Sequence, residues 1–131
     1  MNRTILITAA IFGIVAIALG AFAAHGLKEV LSTEALQTFE TGVRYQMYHA
    51  IMLLFVGGTS FLNAKSKNIM FYLVLIGVVF FSGSIYGLST MDVTGINFKS
   101  VGFITPIGGL LLISAWALML LNFLKLKRDN S

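Results

Sequence analysis

Apolar residues run almost unbroken over four stretches of this chain, at residues 4–24, 46–64, 68–90 and 100–124. Each is close to the roughly 20 residues a helix needs to cross a bilayer core of ~30 Å. A helix satisfies its own backbone hydrogen bonds, as lipid demands, so four membrane-spanning helices are predicted. Between 33 and 45 the pattern changes. Leu36, Phe39, Val43 and Met47 recur at helical spacing, while Glu34, Gln37, Thr38 and Thr41 lie elsewhere around the helix. This predicts a short amphipathic helix on the outer membrane surface, capped by Ser32 or Thr33 and bending at Gly42 into the second span. Glu40 and Arg44 are spaced as an i,i+4 ion pair on it. The expected fold is therefore all-α: a single four-transmembrane-helix bundle over residues 1–131, with a short amphipathic helix before the second span.

The connections add detail. The link at 65–67 is so short that spans two and three must be antiparallel neighbours. In span four, Ser100 or Thr105 is a candidate cap, and Thr105-Pro106 starts the regular helix, where proline is tolerated. Small residues mark where helices approach. Span one offers Ala16, Gly20 and Ala24, with Ala9 and Gly13 on an earlier ladder. Span three has Gly83 and Gly87, span two Gly57-Gly58, and span four Gly108-Gly109. Packing within one bundle is the expected use of these residues, ahead of a dedicated dimer motif.

Composition agrees with a membrane interior. Hydrophobic residues make up 57% and charged residues 11%, against about 25% charged in a soluble domain. The absence of cysteine excludes disulfides, thiolate metal sites and cysteine nucleophiles. The net charge of +4 does not indicate nucleic acid. The cations are scattered at helix ends with no basic face or aromatic platform, and there they anchor and orient a membrane protein.

Those cations predict orientation. Arg3, Lys65, Lys67, Lys125, Lys127 and Arg128 share one side of a four-span arrangement, six of the nine Lys and Arg in the chain. Lys28, Arg44 and Lys99 share the other. The positive-inside rule then gives a multi-pass protein of a cell (inner) membrane with both termini cytoplasmic. Arg3, the apolar run and Ala21-Phe22-Ala23 also imitate a cleavable signal peptide. The run exceeds the usual h-region of about 7–15 residues and carries the small-residue ladder, which favours a retained span; the sequence leaves cleavage open.

The costly polar residues gather towards the outer end. Span one exits at His25 and Lys28; span two enters through Arg44, Tyr45, Gln46, Tyr48 and His49; span three brings Ser82, Ser84 and Tyr86, and span four Thr105. Polar side chains inside a bilayer are functional candidates by default. His49 lies one turn into the apolar run and needs hydrogen-bond partners, for which Tyr86, Ser82 and His25 are candidates. Three roles compete for the cluster. It serves as structural glue between helices, as a cup for a small polar molecule or lipid headgroup, or, on the weakest signal, as a metal site built on His25 and His49 with Glu40 or Glu29. No catalytic pattern is present: there is no G-x-S-x-G, no H-E-x-x-H and no phosphate loop.

Four segments together resemble a known family. Gly20-Ala21-Phe22-Ala23-Ala24-His25-Gly26-Leu27 is similar to the G-A-F-x-A-H-G-L signature of the YgdD-like family of small membrane proteins, a family of unknown function. Arg44-Tyr45-Gln46-Met47-Tyr48-His49-Ala50, Phe81-Ser82-Gly83-Ser84-Ile85-Tyr86 and Ile104-Thr105-Pro106-Ile107-Gly108-Gly109 continue the likeness in order, with Trp116 following. The resemblance implies a four-helix membrane protein and supplies no activity. The expectation is a non-enzymatic accessory or assembly factor, free of cofactor and metal. Its partners would be the lipid bilayer and other membrane proteins or further copies of itself. The alternative is a small-solute or lipid-headgroup transporter or channel using the outer cup.

Overall fold

A computed structural model describes residues 1–126; the predicted tail cations Lys127 and Arg128 lie outside them. Four long helices form the protein: α1 (Asn2–His25), α2 (Thr33–Gly58), α3 (Ala64–Ser89) and, after the short α4 (Met91–Thr94), α5 (Ile104–Leu124). Single 3-10 turns at Leu27–Glu29 and Lys99–Val101 lead into α2 and α5. Gly95 closes α4 in the left-handed conformation that glycine adopts without a steric penalty (φ 74°). Three of the helical segments, Asn2–Glu29, Ala64–Ser89 and Lys99–Leu124, are long and apolar enough to cross a membrane.

The second predicted span needs correction. Instead of a surface helix, a bend and a span at 46–64, α2 is one helix of 26 residues, about 39 Å long. Ser32 caps it by accepting from Ala35 N (3.1 Å). Gly42 does not bend it; that glycine makes room for Tyr86, whose ring would lie 2.8 Å from any Cβ there. The helix stops at Gly58, where Thr59 turns extended. Asn63 then caps α3 by accepting from Ser66 N (2.8 Å). The link between α2 and α3 is therefore residues 59–63, and Lys65 and Lys67 begin α3. The Ser32 cap is one of the two predicted for this segment; hydropathy favoured the apolar second half of α2 and carried the span past Gly58, and the Asn63 cap of α3 was not predicted. Neither Ser100 nor Thr105 caps α5: its N-cap is Phe103, without a side-chain bond, and Pro106 falls in the first turn as expected.

The helices pack in series, α1 on α2, α2 on α3, and α3 on α5. Ile5 and Leu6 lie against Gly57, Ala23 and Leu27 cluster with Phe39, and Gly42 meets Ile85 and Tyr86, so chain neighbours run antiparallel. The buried face of α1 is Ile5, Ala9, Ala16 and Ala23. Its buried small residues thus recur every seven positions; of the predicted ladder Ala16 is buried and Gly20 faces Val43 of α2, but Ala24 is exposed, and nothing lies within 4 Å of a Cβ at Gly13. The Gly83 and Gly87 pair is not a seam either. Gly83 faces open space and Gly87 receives the Phe98 ring. The close crossing is between α3 and α5 at Gly77 and Gly108. A Cβ on Gly108 would collide with the backbone of Phe80 and Phe81 and lie 2.9 Å from the Gly77 carbonyl oxygen.

Candidate functional site

Gln46 links three helices from the middle of α2. Only 4% exposed, it donates through Nε2 to the Phe12 carbonyl of α1 (2.9 Å) and accepts at Oε1 from the Tyr86 hydroxyl of α3 (2.6 Å). Below the Tyr86 ring, Ser82 donates to the Gly42 carbonyl (2.7 Å). Ser84 shares a hydrogen bond with Thr105 of α5. Among the described residues, no buried side-chain nitrogen or oxygen lacks a partner. An unmade bond there would carry the full desolvation cost of a buried polar group.

His49, equally buried, meets none of the three partners expected for it. Its Nδ1 lies 2.7 Å from the Tyr45 carbonyl, and its Nε2 accepts from Trp116 Nε1 of α5 (3.1 Å). Indole nitrogen only donates, so His49 Nε2 must be the acceptor and the proton sits on Nδ1. The rings of His49 and Trp116 meet edge on, with centroids 6.1 Å apart. This bridge links α2 to α5, each of which packs extensively on α3.

The remaining candidates stay apart from this network. His25 and Lys28 are exposed at the α1 exit. Arg44 is exposed and donates to Thr41 Oγ1 (3.1 Å), where its spacing predicted Glu40. Tyr45 and Tyr48 are 40% and 51% exposed and pack edge to face on each other at 5.4 Å. Among the described residues no group of three or more His, Cys, Asp or Glu is placed to hold a metal ion. The polar layer also sits lower than expected. Starting α2 at Thr33 puts Gln46 and His49 near its middle, level with Phe12 midway along α1.

Two features escaped the sequence. One is Trp116 as the partner of His49, 67 positions away; a lone tryptophan in an apolar run signals nothing by itself. The other is a second polar layer at the opposite end. There Lys67 Nζ donates to Asn2 Oδ1 (3.2 Å) and Ser66 to Asn122 Oδ1 (2.9 Å).

Beside the His49–Trp116 bridge the surface is concave. One cavity of about 380 Å³ lies between α2 and α5, with Thr41, Tyr45, His49, Phe81, Gly109 and Trp116 among its walls. A second, of about 310 Å³, adjoins it across Trp116 and is lined by Tyr48, Ile51, Met52, Phe55, Met119 and Phe123 as well. Together they form a mainly apolar side groove, with the Thr41 hydroxyl and the His49 ring towards one end.

Apolar helices joined by buried, self-satisfied polar layers define a helical integral membrane protein. Residues 19–109 match the family described as "Protein of unknown function (DUF423)". The chain is 37% identical over 123 residues to "UPF0382 membrane protein SH2409" of Staphylococcus haemolyticus, covering 94% of this chain and 97% of that one. It is 38% identical over 116 residues to a "UPF0382 membrane protein" of Haemophilus influenzae (88% and 90%). To the "UPF0382 inner membrane protein YgdD" of Escherichia coli it is 35% identical over 133 residues (98% and 95%). No solved structure matches. The chain belongs to the DUF423 family of membrane proteins.

Proposed function

We propose that this is a four-span accessory protein of the cell membrane that works through its lateral surface, and is neither an enzyme nor a conduit. The observation that carries this is the closed interior. The core between the helices is filled by Ile5, Leu53, Val56, Met70, Phe71 and Val74. Among the described residues every buried side-chain nitrogen or oxygen has a hydrogen-bond partner. None of these atoms is left unpaired for a substrate, whereas groups that move solutes through a membrane interior are ionisable and face a cavity. The concave, partly polar surface instead opens sideways, where it meets lipid or another membrane protein.

α2 serves as the fourth span in this reading. It lies between α1 and α3, and its apolar half ends against Ile5 and Leu6 of α1. Both termini then share one side, which the lysine and arginine distribution makes cytoplasmic. That a relative carries the name inner membrane protein agrees with the location. The test has two parts. Purified protein in vesicles is expected to leave proton and small-solute fluxes at the level of empty vesicles; a flux that scales with protein would overturn the proposal. Isolation in mild detergent is expected to give a reproducible complex with a second membrane component. Recovery only as a bare protomer would count against an accessory role.

A further inference from the structure

We propose that the α2–α5 groove holds one anionic phospholipid, its acyl chain on the apolar half and its headgroup beside Thr41 and Arg44. This rests on the lateral-surface reading above. Three observations choose the occupant. The first is size: the two adjoining cavities, about 380 and 310 Å³, fall within the ~300–1,000 Å³ typical of small-molecule sites. The second is shape. Seats for a partner helix are floored by small residues that let backbones approach. Here Tyr45, Tyr48, Phe55, Trp116 and Phe123 flank the groove, and Gly109 is the small exception. Bulky walls leave a slot for a thin chain.

The third is the order of chemistry along the groove. From Thr41 to Phe55 it runs about 21 Å along α2. Hydroxyl and imidazole groups line one end, while Ile51, Phe55, Met119 and Phe123 line the other. This is the polarity order of an amphiphile. Arg44 is not itself a wall of the groove: it lines the neighbouring hollow on the α1 side with Glu40, and its guanidinium reaches across to the Thr41 hydroxyl at the groove's end (3.1 Å). Arg44 stands beside Val43, which packs on Gly20 near the end of α1. From there its long side chain reaches the headgroup level by snorkelling.

The chain contains one tryptophan, and it is the shared wall of the groove. Trp116 fluorescence is therefore a direct probe. The full chain would be placed in phosphatidylcholine vesicles holding a few mole per cent of brominated phosphatidylglycerol or brominated phosphatidylcholine. We expect quenching that reports about fivefold enrichment of the anionic lipid, the share one cation contributes near a membrane surface. Arg44→Gln should abolish the preference without changing helix content or melting. Gly109→Leu, which meets Phe81 only at ordinary contact distance, should lower quenching by both lipids by filling the groove. Equal quenching by the two brominated lipids would overturn the proposal. So would a Trp116 shielded from both in the unsubstituted protein, which would indicate a second copy or partner helix over the groove. Neither result touches the closed interior, whereas a protein-dependent flux would end the lateral-surface reading itself.

Discussion

A proton on Nδ1 is what the surroundings of His49 require. The Tyr45 carbonyl can only accept and Trp116 Nε1 can only donate, and the imidazole lies between them. Nitrogen-15 spectra of labelled protein are expected to show the Nδ1-protonated tautomer, and Trp116→Phe should release it to a mixture. An Nε2-protonated ring in the unsubstituted protein would mean that the Trp116 bond is not made. The residues of this layer were legible in the sequence; their pairing was not. Gln46, Ser82, Ser84, Tyr86 and Thr105 stand out as polar atoms in apolar runs; Gln46 pairs with Tyr86 and Ser84 with Thr105, while Ser82 bonds the Gly42 carbonyl. The fates of His25, Lys28, Arg44 and Tyr48 depend on which way each helix is turned. A near-uniformly apolar helix carries almost no periodic signal of its own rotation.

At the scale of elements, helix existence was plain and helix ends were not. A membrane segment is recognised by its length of apolar sequence; the Ser32 cap before α2 could be read from the sequence, but the Asn63 cap that starts α3 at Ala64, by accepting a free backbone N–H, could not be told from the apolar run. The α3–α5 crossing was hidden for a related reason. In span three the G-x-x-x-G spacing pointed to Gly83 and Gly87, while the contact that needs a missing Cβ pairs Gly77 with Gly108, of which the sequence marked only Gly108. Gly108→Ala forces backbone apart and is expected to cost ~1–3 kcal/mol, the range for overpacking. Gly83→Ala meets open space and should be neutral. Unfolding of both variants in detergent against the parent decides between them; equal stability would show that α3 and α5 do not cross there.

For the whole molecule, the arrangement stands on α2 crossing the bilayer. The chain has no cysteine of its own, so single cysteines report sidedness without background. Replacements at Lys28 and Asn97 should react with an impermeant thiol reagent from outside the cell. Replacements at Ser60 and Lys65 should react only after the membrane is opened. Labelling of positions 28 and 60 from the same side would show that α2 lies along the membrane and that three helices cross it.

Serial packing also bears on how the protein is made. Each long helix rests mainly on the one before it: α2 on α1, α3 on α2, α5 on α3. The order of contacts is the order in which the segments leave the ribosome, since the N-terminal part of a chain is available first. Every helix entering the bilayer finds its main partner already waiting there. Pairings between near neighbours are also those that form fastest. Biogenesis can then proceed as a zipper, without holding early helices apart for late ones. The last to dock is α5, which completes the groove and brings Trp116 to His49. The groove beside Trp116 is thus the final feature to appear, present only on chains synthesised to the end of α5.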